Sequence, residues 1–246
     1  MPAPDVVARR PDQMASAKAK GQRGADTELL QSVQQLLRPA AAEGDLLGLF
    51  PAPFAAYAKD GLAARIAFKH AEQLTPAERD GVWALFEANM AAVYEADAQK
   101  WQPRAKRREL FHDDARYFLM TDEQGELLAF THFRFEVEEN LLEAEELAAA
   151  ALPRYSPVLY CYELQAAPPA RRKGVGRRLM QLLELVALKF KLHAVLLTVQ
   201  RSNGGAHAFY GRLGYKQHPS CPERNGFEDF EGIDPGHRIM WKDLRR

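Results

Sequence analysis

Apolar residues change their spacing several times along this chain, and each change marks an expected element. Leu29, Leu30, Val33, Leu36 and Leu37 recur at helical intervals between Thr27 and Arg38, so one face of a helix is expected to pack on the rest of the chain. Gly61 to Ala71 reads as a strand. Thr75-Pro76-Ala77-Glu78 reads as a helix start: Thr75 can cap, Pro76 suits the first helical position, and Glu78 can complete a capping box. The helix it opens carries Val82, Leu85, Phe86, Asn89, Met90, Val93 and Tyr94 on one face and runs to about Ala96. A short helix, Arg104 to Phe111, follows Pro103. The linker before it holds Trp101 and is placed to border a substrate groove.

Ala115 to Met120 and Leu127 to Val137 are strand-like, joined by the hairpin connection Thr121-Asp122-Glu123-Gln124-Gly125. On the second strand, Phe130, His132, Arg134 and Glu136 share one side. Thr131, Phe133, Phe135 and Val137 share the other, more apolar side, which is expected to face the core. Glu138 to Ala151 is crowded with Glu138, Glu139, Glu143, Glu145 and Glu146. It reads as a solvated helical insertion or, alternatively, as an acidic rim that attracts a basic substrate. Val158 to Gln165 reads as a strand, Val175 opens an amphipathic helix, and His193 to Val199 reads as another buried strand. Asn203 to Tyr215 then gives a turn, a short helix and a glycine stop. Cys221 to Gly236 is polar and rich in turn formers, and His237 to Trp241 supplies a last strand.

Strands alternating with helices predict an α/β (α+β) fold. Met1 to Gly24 mixes Pro, Ala, Arg9, Arg10, Lys18, Lys20 and Arg23 and reads as a disordered, mildly basic arm. Residues 25–56 are expected to form an accessory helix and connector, and 57–246 one domain with the acidic insertion at 138–157. The 246 residues, 47% of them hydrophobic, suffice for one substantial core. The 33 basic and 33 acidic residues cancel, which argues against a generally nucleic-acid-binding surface and makes any electrostatic recognition local. Cys161 and Cys221 are too few for a disulfide framework or a cysteine-rich zinc site and fit a reducing compartment. Cys161, in an apolar strand, reads as a buried thiol. No stretch has the roughly 20 apolar residues that span a bilayer, and no apolar signal core is seen at the amino end.

The candidate chemistry centres on Arg171-Arg172-Lys173-Gly174-Val175-Gly176, set between a strand and a helix. Such a turn can aim several backbone N–H groups at one anion. Its glycines permit close approach, and the helix dipole adds positive potential. A phosphate-bearing cofactor is the natural guest. Glu163 is a carboxylate in the otherwise apolar and aromatic strand Tyr160-Cys161-Tyr162-Glu163-Leu164, which suits a general base or a structural carboxylate bonded to a neighbouring loop. Strict alternation puts Tyr160 and Tyr162 opposite Glu163 unless a bulge intervenes.

Strand, pyrophosphate turn, helix and strand, followed by Asn203-x-x-Ala206-x-x-Phe209-Tyr210-x-x-Leu213-Gly214-Tyr215, resemble the acetyl-coenzyme A half of the GNAT superfamily of N-acetyltransferases. The resemblance implies a GNAT fold, a mixed central sheet with parallel strands splayed around the pantetheine arm. It implies acetyl-coenzyme A as cosubstrate without a metal. Leu164, Gln165, Arg171, Arg172, Lys173, Gly174, Val175, Gly176, Asn203 and Tyr210 would then contact the coenzyme. Tyr210 is implied as the residue that protonates the departing sulfur, with simple core packing as its alternative; Asn203 can also serve as a helix cap.

Asn89-Met90-x-x-x-Tyr94-Glu95, Trp101 with Lys106-Arg107-x-Glu109-Leu110, His132-Phe133-Arg134-Phe135-Glu136-Val137-Glu138 and Leu159-Tyr160-Cys161-Tyr162-Glu163-Leu164-Gln165 narrow the likeness. From about Tyr57 to Tyr215 the chain is similar to the N-terminal acetyltransferase D family, which acetylates the α-amine of histone H4 and histone 2A. That similarity implies Glu163 as catalytic base and Tyr94, Trp101, Glu136, Glu138, Tyr160 and Tyr162 as the peptide site. It also implies histone tails as partners, nucleus and cytoplasm as location, and a monomer with no direct contact to nucleic acid or membrane. Glu136 stands where the family usually has aspartate, and Gln99 where a second tryptophan is expected. His237 is the stand-in for a carboxy-terminal tyrosine. Another protein N terminus or a lysine side chain, and a non-catalytic binding module, are the alternative readings.

Overall fold

The computed structural model describes residues 20–96, 101–221 and 236–245. Its strands are β1 (Ala56–Lys59), β2 (Leu62–His70), β3 (Arg116–Thr121), β4 (Leu127–Glu139), β5 (Tyr155–Ala166), β6 (Ala194–Gln200), β7 (Lys216–Gln217) and β8 (His237–Asp243). Its helices are α1 (Lys20–Ala41), α2 (Pro76–Ala96), α3 (Pro103–Leu110), α4 (Ala144–Ala149), α5 (Val175–Lys189) and α6 (Gly204–Arg212). The strands form one sheet in the order β1-β2-β3-β4-β5-β6-β8-β7. Every neighbouring pair is antiparallel except β5 and β6, which the crossover through α5 makes parallel.

That parallel register runs only from Val158 opposite Ala194 to Cys161 opposite Leu197. Beyond it, β5 continues on β4 as far as Ala166 while β6 stays with β8 to Gln200. The two strands therefore diverge after Cys161, and the edge of β5 that β6 would have covered faces the gap. This is the expected splay.

Helices cover both faces of the sheet, so both sides of its central strands are buried. Leu37 of α1 and Leu179 and Leu183 of α5 pack with Leu46 on Phe118, Phe133 and Leu159. On the opposite face Val82, Trp83 and Phe86 of α2 and Leu110 of α3 cover Tyr117, Leu119 and Phe130. The more apolar side of β4 faces the main core as expected, with Phe133, Phe135 and Val137 in it, and the other side is covered as well. His132 and Arg134, on the other side, are buried beneath α2 and α3.

Two further differences concern the amino-terminal part. Helix α1 begins at Lys20, inside the segment expected as an arm, and residues 1–19 lie outside the described residues. Its buried stripe is Val33, Leu37 and Ala40, while Leu29 and Leu36 of the expected stripe are exposed. Strand β1 was not anticipated; it returns into β2 through Asp60 and Gly61, both with positive φ (52° and 72°), the geometry of a tight hairpin turn. In the acidic insertion, Glu143, Glu145 and Glu146 are exposed on or beside α4, with the Glu143 N–H bonded to the Glu146 carboxylate at 3.1 Å in a capping box. Gln99 and the polar stretch 222–235 lie outside the described residues.

Candidate active site

The site is organised by one irregularity in β5. His132 of β4 pairs with Glu163 while Phe133 pairs with Cys161, so Tyr162 is an extra residue, a β-bulge. Cys161 and Leu164 pack into the core beneath α5. Tyr162 and Glu163 both turn to the other face, which strict alternation forbids and a bulge permits. The Tyr162 ring stacks on His132 at 4.9 Å, lies 5.0 Å from the ring of Tyr160, and carries the Arg134 guanidinium at 4.4 Å.

Glu163 is buried, and both of its oxygens are engaged: Oε1 lies 2.6 Å from Lys106 Nζ, and Oε2 accepts from Gln165 Nε2 at 2.8 Å. Burial lifts its carboxyl above the ordinary range, with Lys106 pulling the other way. Lys106 also bonds Glu109 one helical turn on. Burial works against the Lys106 charge, but the carboxylates of Glu163 and Glu109 more than reverse that and hold it protonated well above the ordinary value. The pair is thus a fixed cation beside a carboxylate whose proton affinity is raised.

Around this centre lie the expected peptide-site residues. The Tyr162 hydroxyl donates to Glu136 Oε1 at 2.5 Å, and Tyr160 shares a hydrogen bond with Thr198. Burial pushes the Glu136 carboxyl up to about 8, with Glu138 adding its charge. Tyr94 belongs to an aromatic group with Phe86 and Trp101 and feels the charges of Lys106 and Glu163; burial pushes its phenol up to about 12. Trp101, expected to border a groove, is partly buried and also packs on its neighbours. Its ring stacks on Trp83 at 5.9 Å and Phe86 at 6.0 Å, so it is part of the packing that holds Tyr94.

Tyr210 of α6 is buried against Phe209 and Tyr215. Burial holds its phenol well above the ordinary value, and the charges of Cys161 and Glu163 add to this. Tyr210 packs in the same core as Cys161, the last residue of β5 that pairs with β6. The Asn203 side chain accepts from the Ala206 N–H at 3.0 Å, which is the cap of α6.

At the turn before α5, Gly174 has φ +82°, and a Cβ there would sit 2.7 Å from the Tyr57 hydroxyl. The Tyr57 hydroxyl donates to the Lys173 carbonyl, so β1 braces the turn. At Gly176 a Cβ would come 3.2 Å from Phe209 and 3.6 Å from Leu164. The first helical bond runs from Arg178 N–H to the Gly174 carbonyl at 3.0 Å, which leaves the N–H groups of Val175, Gly176 and Arg177 outside the helix ladder. A cradle in which side chains are excluded and N–H groups converge fits a pyrophosphate.

Two of the expected coenzyme contacts also bond within the protein. The Arg171 guanidinium donates to Asn89 Oδ1 at 2.5 Å and to the Ala166 carbonyl at 3.1 Å while the residue stays exposed at the turn. Gln165 joins Asn89 to Glu163. Arg172 and Lys173 stay on the turn, Arg172 with a positive φ of 63°. Among the described residues, no group of three or more His, Cys, Asp or Glu could hold a metal ion.

Asn89 and Lys106 stand in the strings that narrow the family likeness and Tyr57 marks its start, but none of the three carries a role in the site on sequence alone. The segment Arg104 to Phe111 reads only as a short helix. The available signal was that Lys106 precedes the buried Leu110 by four residues and so shares its face.

The model of the Acetyltransferase (GNAT) family matches residues 82–215, just over half of the chain. N-alpha-acetyltransferase 40 of Saccharomyces cerevisiae is 34% identical over 107 residues, which cover 41% of this chain and 36% of that relative. Among solved structures, an acetyltransferase from Streptococcus agalactiae has a TM-score of 0.50 at 14% identity, covering 73% of this chain and 98% of its own. PaiA N-acetyltransferase of Thermoplasma acidophilum, solved in complex with coenzyme A, has a TM-score of 0.47 at 14% identity, covering 73% and 99%.

Proposed function

Because this chain belongs to the acetyltransferase (GNAT) family, we propose that it is an acetyl-coenzyme A dependent Nα-acetyltransferase acting on the free amino ends of histone H4 and histone 2A, in nucleus and cytoplasm. One observation carries the reading. Glu163 is a buried carboxylate just past the last parallel pair of β5 and β6, between the coenzyme turn and a pocket of tyrosines and acids. The name of the yeast relative agrees with transfer to an α-amine.

Bound acetyl-coenzyme A would supply the acetyl thioester. Its phosphates fit the glycine cradle of Arg171 to Gly176, and the uncovered edge of β5 from Tyr162 onward offers backbone groups to its arm. A peptide α-amine has an ordinary pKa of about 8. Glu163, lifted by burial, can take the amine's proton directly or through one water, since each carboxylate oxygen keeps a lone pair beyond the bonds from Lys106 and Gln165. Tyr210, held protonated, gives a proton to the departing sulfur. Glu136 and Glu138 grip the arginine of a Ser-Gly-Arg-Gly start. A charge-assisted contact of this kind contributes roughly 1.5 to 3 kcal/mol. Tyr160 and Tyr162 limit the size of the first residues.

The test is mass-spectrometric acetyl transfer to a Ser-Gly-Arg-Gly-Lys peptide, beside an N-terminally blocked copy and a copy with its arginine replaced by alanine. Transfer confined to the free α-amine and weakened by loss of the arginine is expected. Transfer to the blocked copy would shift the reading to a lysine acetyltransferase. Coenzyme binding without any product would favour a non-catalytic module or another substrate.

A further inference from the structure

The coenzyme turn and Glu163 are connected by an unbroken line of hydrogen bonds. Arg171 donates to Asn89 Oδ1 (2.5 Å), Asn89 Nδ2 donates to Gln165 Oε1 (3.0 Å) and to the Ala166 carbonyl (3.2 Å), and Gln165 Nε2 donates to Glu163 Oε2 (2.8 Å). The polarity of this line is forced. A guanidinium can only donate and an ionised carboxylate can only accept, so each amide must present its oxygen to the arginine side and its nitrogen to the glutamate side. Two aligned amide dipoles thus connect a fixed positive charge to a buried negative one, an arrangement in which each bond polarises the next.

We propose that Asn89 and Gln165 are positioning residues that couple coenzyme binding at Arg171 to the protonation of Glu163. The proposal rests on the reading of Arg171 to Gly176 as the coenzyme turn and of Glu163 as the base. Anionic phosphate beside Arg171 weakens the positive end of the line, so the Glu163 carboxylate is less stabilised and accepts a proton more readily. The base is then at its strongest when the acetyl donor is in place. Binding free energies are reciprocal, so protonated Glu163 must favour the coenzyme, and affinity must fall as rising pH ionises it. Other groups also face Glu163: Lys106 and Glu109 from α3, Tyr94 from α2, His132 with Arg134 beside it from β4, Cys161 on its own strand and Tyr210 from α6. All of these stay in place when the line is cut at Asn89 or Gln165.

The test is calorimetric affinity of the full chain for dephospho-coenzyme A at about pH 6 and about pH 8.5. This probe lacks the phosphate monoester whose own second pKa lies near 6. Four proteins are compared: the native chain, Asn89→Asp, Gln165→Met and Glu163→Gln. In Asn89→Asp the new side chain can still accept from Arg171 but has nothing to donate to Gln165; Gln165→Met keeps the volume and cuts the other end. The native chain should lose about 5-fold in affinity between the two pH values, the low end of couplings between sites, and all three variants should show no such loss. A native chain without pH dependence, or a dependence that persists in either Asn89→Asp or Gln165→Met, overturns the coupling. Acetyl transfer by Glu163→Gln separates the two ideas. Retained activity would remove Glu163 as the base, whereas lost activity with an unchanged slope in Asn89→Asp would remove only the coupling.

Discussion

Burial, with the charge of Glu138 added to it, pushes the Glu136 carboxyl up to about 8 from an ordinary 4.5. Between those values the folded chain binds a proton that the unfolded chain does not, so this residue makes stability fall as pH rises from about 4.5 to about 8. Glu136→Gln should flatten that part of the curve when urea midpoints are compared at the two ends of the range. Gripping a substrate arginine needs the ionised form, so the KM for a Ser-Gly-Arg-Gly peptide should fall as pH approaches 8 in the native chain but not in Glu136→Gln. Lys106 makes a separate prediction. Lys106→Met leaves Glu163 and Glu109 without their shared cation, which costs about 3 to 5 kcal/mol if the pair behaves as other buried pairs. It also lifts Glu163 further, moving the acid limb of kcat/KM to higher pH, and Lys106→Arg should restore most of both. Packing alone would change stability without moving the limb. Tyr160, Tyr162 and Glu163 could be read from the sequence because they form one short motif. Lys106 stands in a family-like string, but its burial against Glu163 is a contact between distant segments. The bond from Arg171 to Asn89 joins residues 82 positions apart, and no local pattern carries that.

Elements were legible where a local signal fixes them. The start of α2 is one such case: the Thr75 hydroxyl accepts from the Glu78 N–H at 3.2 Å and the Glu78 carboxylate accepts from the Thr75 N–H at 2.8 Å, as a capping box requires. The bulge at Tyr162 had no such marker, since neither glycine nor proline interrupts Tyr160-Cys161-Tyr162-Glu163. Only the pairing with β4 shows it. Strand β1 is four residues long and half alanine, too weak a pattern to declare itself, yet it brings Tyr57 to the coenzyme turn. Gly174→Ala tests that turn. A positive φ and a Cβ 2.7 Å from the Tyr57 hydroxyl should together cost about 1 to 2 kcal/mol or more. The KM for acetyl-coenzyme A should rise several-fold while that for the peptide stays unchanged, as initial rates with each substrate varied would show.

For the whole molecule, the family resemblance implied a mixed sheet with splayed parallel strands, and the structure has one parallel pair, β5 and β6. The sequence did not reveal that β8 lies between β6 and β7, because that order is set by pairing between distant segments. Nor did it show how firmly the amino-terminal region is tied in. Arg116 donates to the Ala41 carbonyl at 2.7 Å, His70 contacts the Glu43 carbonyl at 3.2 Å, and Leu46 is fully buried in the main core. Leu46→Ala should therefore destabilise the entire fold by about 2 to 5 kcal/mol in chemical denaturation. The central claim is that a buried carboxylate where β5 and β6 diverge removes the proton from a peptide α-amine. The most direct measurement is single-turnover acetyl transfer to Ser-Gly-Arg-Gly-Lys by the native chain and by Glu163→Gln, each saturated with acetyl-coenzyme A. Glu163→Gln should acetylate the α-amine roughly 100-fold or more slowly, with coenzyme still bound; an undiminished rate would remove Glu163 as the base.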